Sequence, residues 1–347
     1  MLAGQCLLEW PLPAEGLQEV SALLRSGDVA LTNLETAIAG AHGGTPQRET
    51  TLHVAPPSVL DTIAELGVTL LALASNHAYD LGPEGIRSTL EEVSRRGFVA
   101  AGMGLDGAGA RRAGRLELEG GTEIALLAWN ASPNPPGAGA RDACAPGGGK
   151  PGTNTLEVDL VAGRARIAPE VLASALADVA ALRAVGGVRV VYVHQHYWDG
   201  DVRVTPLWLR DFAHRCVEEG ADVVVCHGPP VLHGVEVYRA RAIFYGLASL
   251  VFHTERPERY PGVDAWESVI ARCRLAGDGA LETLELHPVI HGHHPDLGSD
   301  GSPGGGPLLA RDASGDGVLA RMAERCAARH GTTFRLSEGR LILEGSA

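Results

Sequence analysis

Five short apolar runs, each closing on polar residues, constrain this chain more than any other feature: DVALTNLET, VTLLALASNHA, EIALLAWNAS, VRVVYVHQHYW and DVVVCHGPP. Their apolar stretches are too short to span a bilayer and suit strands buried on both faces. Between them lie the amphipathic stretches PSVLDTIAELG, PEGIRSTLEEVSRRG, APEVLASALADVAALRAVG and TPLWLRDFAHRCVEEG, which end on glycines such as Gly97 and Gly186 that suit helix C-caps. Strand alternating with helix predicts a layered α/β architecture. A last helix (DGVLARMAERCAARHG) and a short strand (RLILE) finish the fold. Two stretches rich in Gly and Pro, 132–153 and 291–307, read as surface loops inserted in a single domain spanning 1–347, and the first either closes over a site or is an unselected insertion.

Polar residues cluster just past the C-terminal ends of the expected strands, where open α/β sheets bind ligands. Asn33 and Glu35 follow VALT, Ser75, Asn76 and His77 follow LLALA, His194 and His196 follow VVYV, and His227 follows DVVVC. Four strand ends thus deliver Asn, Glu and His toward one rim, a composition suited to a metal or to proton transfer. His194 and His196 lie on one face of an extended segment because side chains repeat every second residue. His77 has Asp80 three residues on, and His194 and His196 precede Asp199 and Asp201, so carboxylates are available to fix imidazole tautomers. Asp80 alternatively caps the turn Leu81-Gly82-Pro83. His291, His293 and His294 beside Asp296 read as a solvated cluster, His233 as intermediate, and His42, His53, His214, His253, His287 and His330 as surface residues without polar company.

Acidic residues number 42 against 29 basic ones, and the net charge of −13 argues against a nucleic acid or an anionic membrane as partner. Six scattered cysteines without a CxxC pair read as reduced thiols. The N-terminal MLAGQCLLEWPLP lacks a basic start and meets Glu9 and Pro11 early, unlike a signal peptide or anchor, so a soluble cytoplasmic protein is expected.

The stretches GDVALTNLET, LASNHAYDLGPEGIRSTLEEVSRRG, VVYVHQHYW, GADVVVCHGPPVLHGVEVY and RAIFYGLASLVF resemble the CapA family of poly-γ-glutamate capsule proteins. The resemblance implies a four-layer αββα sandwich similar to the calcineurin-like metallophosphatases, with the site at the strand ends. It makes Asn33, Glu35, Asn76, His77 and His196 members of the family's site. The chain departs from the pattern in two places. Gly4-Gln5 stands where the family opens with Gly-Asp, and His227-Gly228-Pro229-Pro230 where it has His-His-Pro-His.

These departures dismantle a binuclear cage, which needs several anionic or imidazole ligands. An oxygen-rich set remains, Gln5, Asn33, Glu35 and Asn76 with His196, suited to one divalent cation, Ca²⁺ with Mg²⁺ or Mn²⁺ as alternatives. His77 with Asp80, His194 with Asp199, and His227 then remain as acids and bases. The resemblance extends to the soluble lasso-peptide epimerase type. It implies metal-dependent inversion of an α-carbon in a ribosomal precursor peptide, with the peptide and a leader-binding helper protein as partners. In that reading Tyr79, Tyr197, Trp198 and Trp208 either line the substrate or pack the core. The alternatives are a hydrolase of phosphoesters or of γ-glutamyl or other amides, and a non-catalytic capsule or binding protein.

Overall fold

The computed structural model describes residues 1–49, 51–142, 148–297 and 305–345, which fold as a mixed α/β protein. One six-stranded sheet runs in the order Val235–Tyr238, Arg241–Phe244, Val223–His227, Val188–His194, Glu123–Asn130 and Gly114–Glu117. Its four inner strands are parallel, and an antiparallel partner closes each edge. Strands Leu31–Asn33, Leu70–Ala72 and Val99–Ala101 form a second parallel group. Strands Glu267–Leu275 and Leu281–Ile290 pair antiparallel and continue to Arg340–Leu343 and Phe334–Ser337. Leu2 joins these two groups, bridging Leu31 on one side and Ala271 on the other.

The period of two along each strand decides which cluster a side chain joins. In strand Val188–His194, Val190 and Tyr192 pack with Leu31, Leu70, Ala72, Val269 and Leu284 of the other sheets. Val191 and Val193 face the opposite way, onto Val179 of helix Pro169–Ala181 and Leu209 and Phe212 of helix Leu207–Glu218. Leu71 and Leu73 pack beneath helices Gln18–Arg25, Val59–Glu65 and Gly82–Arg95 through Leu24, Ile63 and Ile86. Each such buried aliphatic side chain contributes about 1.5–3 kcal/mol, enough to fix strand register against a slip that would expose a whole face.

Register carries the fold into the site. Asn130, His194 and His227 lie side by side at the C-terminal ends of three adjoining parallel strands. Each continues the face that carries Ala128, Tyr192 and Val225, so all three side chains turn toward the second sheet group. Asn33, two residues after Leu31 on the facing strand, turns toward them in the same way.

Several sequence expectations need correction. Helix Pro169–Ala181 does not run to Gly186, because a 3₁₀ turn, Leu182–Ala184, carries the chain out first. The stretch 132–153 is not a free surface loop: Gly152–Thr153 pairs with Met103–Gly104, and Ser132, Ala138 and Thr153 are buried. In the stretch 291–307, His291 and His294 are buried. Positions 143–147 and 298–304 of these stretches, and Cys144 with them, lie outside the described residues. The other five cysteines are free thiols. No helix among the described residues is long and apolar enough to cross a membrane.

Candidate metal centre

Ligand atoms of Glu35, His194 and His196 all lie within 4.8 Å of one another. His194 Nε2 is 3.6 Å from Glu35 Oε1 and 2.7 Å from Asn76 Oδ1, so three chain segments from both sheet groups converge there. The rings of His194 and His196 are tilted neighbours with centroids 5.1 Å apart, as the alternation along the strand requires. His194 is therefore a ligand candidate rather than a free acid or base.

Electrostatics fit that role. Burial pushes His196 down to about 3 and His194 well below the ordinary imidazole range, which keeps both rings neutral and able to donate a lone pair. Burial, then the nearby Asp80 carboxylate, pushes Glu35 up to about 8. A cation between these groups would reverse that penalty, because a bound ion is the largest local charge in such a site.

The surrounding polar atoms test whether the residues suit a cation. Gln5 Oε1, Asn33 Oδ1, Glu35 Oε2, His194 Nδ1, His196 Nε2 and His227 Nε2 are buried without a hydrogen-bond partner. The other ends of two of these side chains are fixed: Gln5 Nε2 donates to Gly228 O at 3.0 Å and Asn33 Nδ2 to Ala72 O at 2.8 Å. Both amide oxygens are thus held as acceptors with nothing to accept. Buried acceptors without donors cost free energy unless something electropositive satisfies them, so this set fits a divalent cation. The expectation of a single imidazole among oxygen donors is corrected, since His194 joins His196.

Beside this centre stands an imidazole–carboxylate pair. His77 Nδ1 donates to Asp80 Oδ2 at 2.8 Å. Asp80 is fully buried and also accepts from Arg48 Nε and from the His53 backbone N–H, each at 2.9 Å. It does not cap helix Gly82–Arg95, whose N-cap has no side-chain hydrogen bond. Burial lowers His77 despite the pull of Asp80, so the neutral imidazole with a free Nε2 predominates at neutral pH. His227 is the register neighbour of His194, and its Nδ1 lies 3.1 Å from the Tyr192 hydroxyl. Burial holds Tyr192 well above its ordinary value and keeps its phenol protonated; when that O–H donates to Nδ1, the His227 proton sits on Nε2.

Asp199, offered by the sequence as a carboxylate for His194 or His196, does not pair with His194. The strand ends at His194, Asp199 is exposed, and His194 Nδ1 has no partner. Tyr79 and Trp208 are buried, while Trp198 stays 39% exposed with its ring 5.9 Å from that of His196. Sequence reasoning missed Arg48, His53, Glu9 and Asn130. His53 Nδ1 lies 2.7 Å from Glu9 Oε1, and its ring stands edge-on to His77 at 4.3 Å. His253 is buried and stacked on Trp10, while His214 and His330 flank Glu236, so these residues are not isolated on the surface. His291 and His294 are likewise not solvated, and His294 faces the buried Glu267. Only the EWPL segment and the TLHV segment, each pairing a charged group with an apolar run, hinted at Glu9 and His53.

Fold and donor set together define a mixed α/β protein with a candidate metal centre on the rim between its sheets. The chain belongs to the family described as Bacterial capsule synthesis protein PGA_cap, whose model matches residues 9–254. Gln5 lies just outside that match. Among similar proteins, "Uncharacterized protein y4sH" of Sinorhizobium fredii is 26% identical over 83% of this chain and 80% of its own length. "Probable polyglutamine synthesis accessory protein MT0602" of Mycobacterium tuberculosis is 28% identical over 76% of this chain and 66% of its own. "PGA biosynthesis protein CapA" of Bacillus subtilis is 25% identical over 68% of this chain and 56% of its own.

Proposed function

We propose that the chain is a metal-dependent enzyme that inverts an α-carbon of a peptide substrate by proton transfer. We read its layers as the four-layer αββα sandwich of the calcineurin-like metallophosphatases. Glu35, His194 and His196, with Asn76, Asn33 and Gln5 around them, would hold one divalent cation. The mixed imidazole and oxygen set favours Mn²⁺ over Ca²⁺ or Mg²⁺. When bound, the cation supplies positive charge for the oxyanion that develops as the Cα proton leaves.

The observation that carries the reading is a complementary pair of imidazoles. His77, held at Nδ1 by Asp80, offers a basic Nε2, and His227, held at Nδ1 by Tyr192, offers Nε2–H. Both lie within electrostatic reach of His194. His77 Nε2 takes the Cα proton and Asp80 stabilises the imidazolium. A solvent proton relayed through His227 reaches the other face, and His77 releases its proton to solvent, so both imidazoles end the turnover as they began it. Incubation with a candidate precursor peptide in deuterium oxide tests this: a one-dalton gain without cleavage supports it, and no exchange at any divalent cation tried refutes it.

A second reading is hydrolysis of a γ-glutamyl or other amide; the relatives named for polyglutamine and PGA synthesis point to the polymer to try and not to the reaction. Amine release from a polyglutamate chain, absent after chelation, would select it.

A further inference from the structure

The side-chain oxygens left over at the candidate centre are acceptors. Gln5 Oε1, Asn33 Oδ1 and Glu35 Oε2 are buried without a donor, and such a set suits a cation. A substrate oxygen that gains negative charge beside these groups needs donors of its own. One unpartnered donor stands on the Gln5 and Glu35 side of the centre, the phenol of Tyr260.

Its place follows from strand Gln5–Leu7, where Leu7 lies two residues past Gln5 on the same face. Leu7 clusters with Phe252, Ala265 and Trp266, and Tyr260 packs against this group. The Tyr260 ring stands edge-on to Phe252 with centroids 4.9 Å apart, and Phe252 is the register neighbour of Leu7. Glu35 is tied to the same strand, since its backbone N–H donates to Cys6 O at 3.0 Å. Burial, then the Glu35 carboxylate, raises the Tyr260 phenol, so it stays protonated at neutral pH.

Two backbone bonds fix the residue. Tyr260 N–H donates to Pro257 O at 2.9 Å, and Tyr260 O accepts from Trp266 Nε1–H at 3.3 Å. Its hydroxyl is not used in this way: among the described residues no group hydrogen-bonds to it. The buried hydroxyls of Tyr192 and Tyr245, by contrast, meet His227 and Glu236. A half-buried phenol held by its ring and backbone, with its O–H to spare, is preorganised to donate to a bound molecule.

We propose that Tyr260 is a catalytic residue of this centre, its O–H donating to the substrate carbonyl oxygen on which negative charge develops. The phenol keeps its proton throughout; its hydrogen bond strengthens as the oxygen gains charge and relaxes as the charge leaves. The inference rests on the proposed reading that a peptide carbonyl reacts here. It serves Cα proton transfer and amide hydrolysis alike, because both load charge onto that oxygen.

The test uses the full chain loaded with Mn²⁺ throughout and acetohydroxamate as an oxyanion probe. Titration calorimetry compares the native chain with Tyr260→Phe, which keeps the ring against Phe252 and removes the O–H. The expected result is a loss of about tenfold in probe affinity, the scale of one hydrogen bond to a charged group, with Mn²⁺ affinity unchanged. Cα exchange should fall by about 10²–10³ with KM little altered, the cost of removing one oxyanion donor. Acetohydroxamate that fails to bind the native chain, or binds both proteins equally, overturns the proposal. So does a parallel loss of Mn²⁺ affinity, which would make Tyr260 a support of the donor set, or exchange in Tyr260→Phe within threefold of the native rate. A tenfold loss of probe affinity with no Cα exchange in either protein removes the epimerase reading and leaves Tyr260 as the oxyanion donor.

Discussion

Asp80→Asn separates the chemistry of His77 from the folding of its surroundings. Asp80 accepts from three donors, His77 Nδ1–H, Arg48 Nε–H and the His53 backbone N–H, at 2.8, 2.9 and 2.9 Å. Asparagine offers one acceptor oxygen and one donor group, so at least one of the three donors faces an N–H instead. Arg48 and the backbone amide cannot change, but imidazole can, by moving its proton to Nε2. The substitution thus turns the proposed base into a donor aimed at substrate. General-base catalysis contributes roughly 10²–10⁴ in rate, and that is the expected loss in Cα exchange. Breaking a buried pair costs about 3–5 kcal/mol, and the partial exposure of Arg48 reduces this to about 2–3 kcal/mol. Urea unfolding measures the stability term, and deuterium incorporation measured well below the unfolding midpoint measures the chemical one. Exchange within threefold of the native rate, in protein shown to be folded, would refute the assignment of His77 as base.

Other outcomes follow from the same geometry. Mn²⁺ should raise the melting temperature and EDTA reverse it, by about 2.7 kcal/mol at a hundredfold excess over Kd, with Glu35→Gln and His196→Ala each removing the shift in calorimetry. His233 and His291 are held by burial at about 4 and about 3, below the 6.5 of free imidazole. The unfolded chain therefore binds more protons than the native one below pH 6.5. Their stabilisation is complete above that value and is lost as pH falls through the folded values, so urea midpoints flat from pH 7 to 4.5 would contradict it. Gly228→Ala places a Cβ 1.7 Å from Gln195 O at φ +147°, and should cost about 3 kcal/mol or more in urea while releasing the Gln5 side chain.

How far the sequence reveals this molecule depends on whether the information is local. The apolar runs identify strands Glu123–Asn130, Val188–His194 and Val223–His227 because burial on both faces leaves its mark within each run. The same runs mark Glu35, Asn76, His194, His196 and His227 as rim residues, since a strand end is a local feature. Pairing is not local. Nothing within VRVVYVHQHYW says that His194 will meet Asn76, 118 positions away, rather than Asp199, five positions on. Proximity in sequence favours the wrong partner because a strand end throws the following residues outward, while register brings distant strand ends together. The burial of several histidines is hidden from the sequence for the same reason. His253 and His291 follow strands that look ordinary in isolation, and only packing against Trp10 and Trp266 encloses them. Asn130 makes the point most directly: one asparagine after EIALLAW carries no signal, yet it is the register neighbour of His194 and its backbone ties Asn154 and Leu156 beside it. The choice between proton transfer and hydrolysis is therefore best decided where a local pair, His77 with Asp80, is held by a distant partner, Arg48 on Asp80, and where His227 meets Tyr192, since one substitution there changes a proton's position.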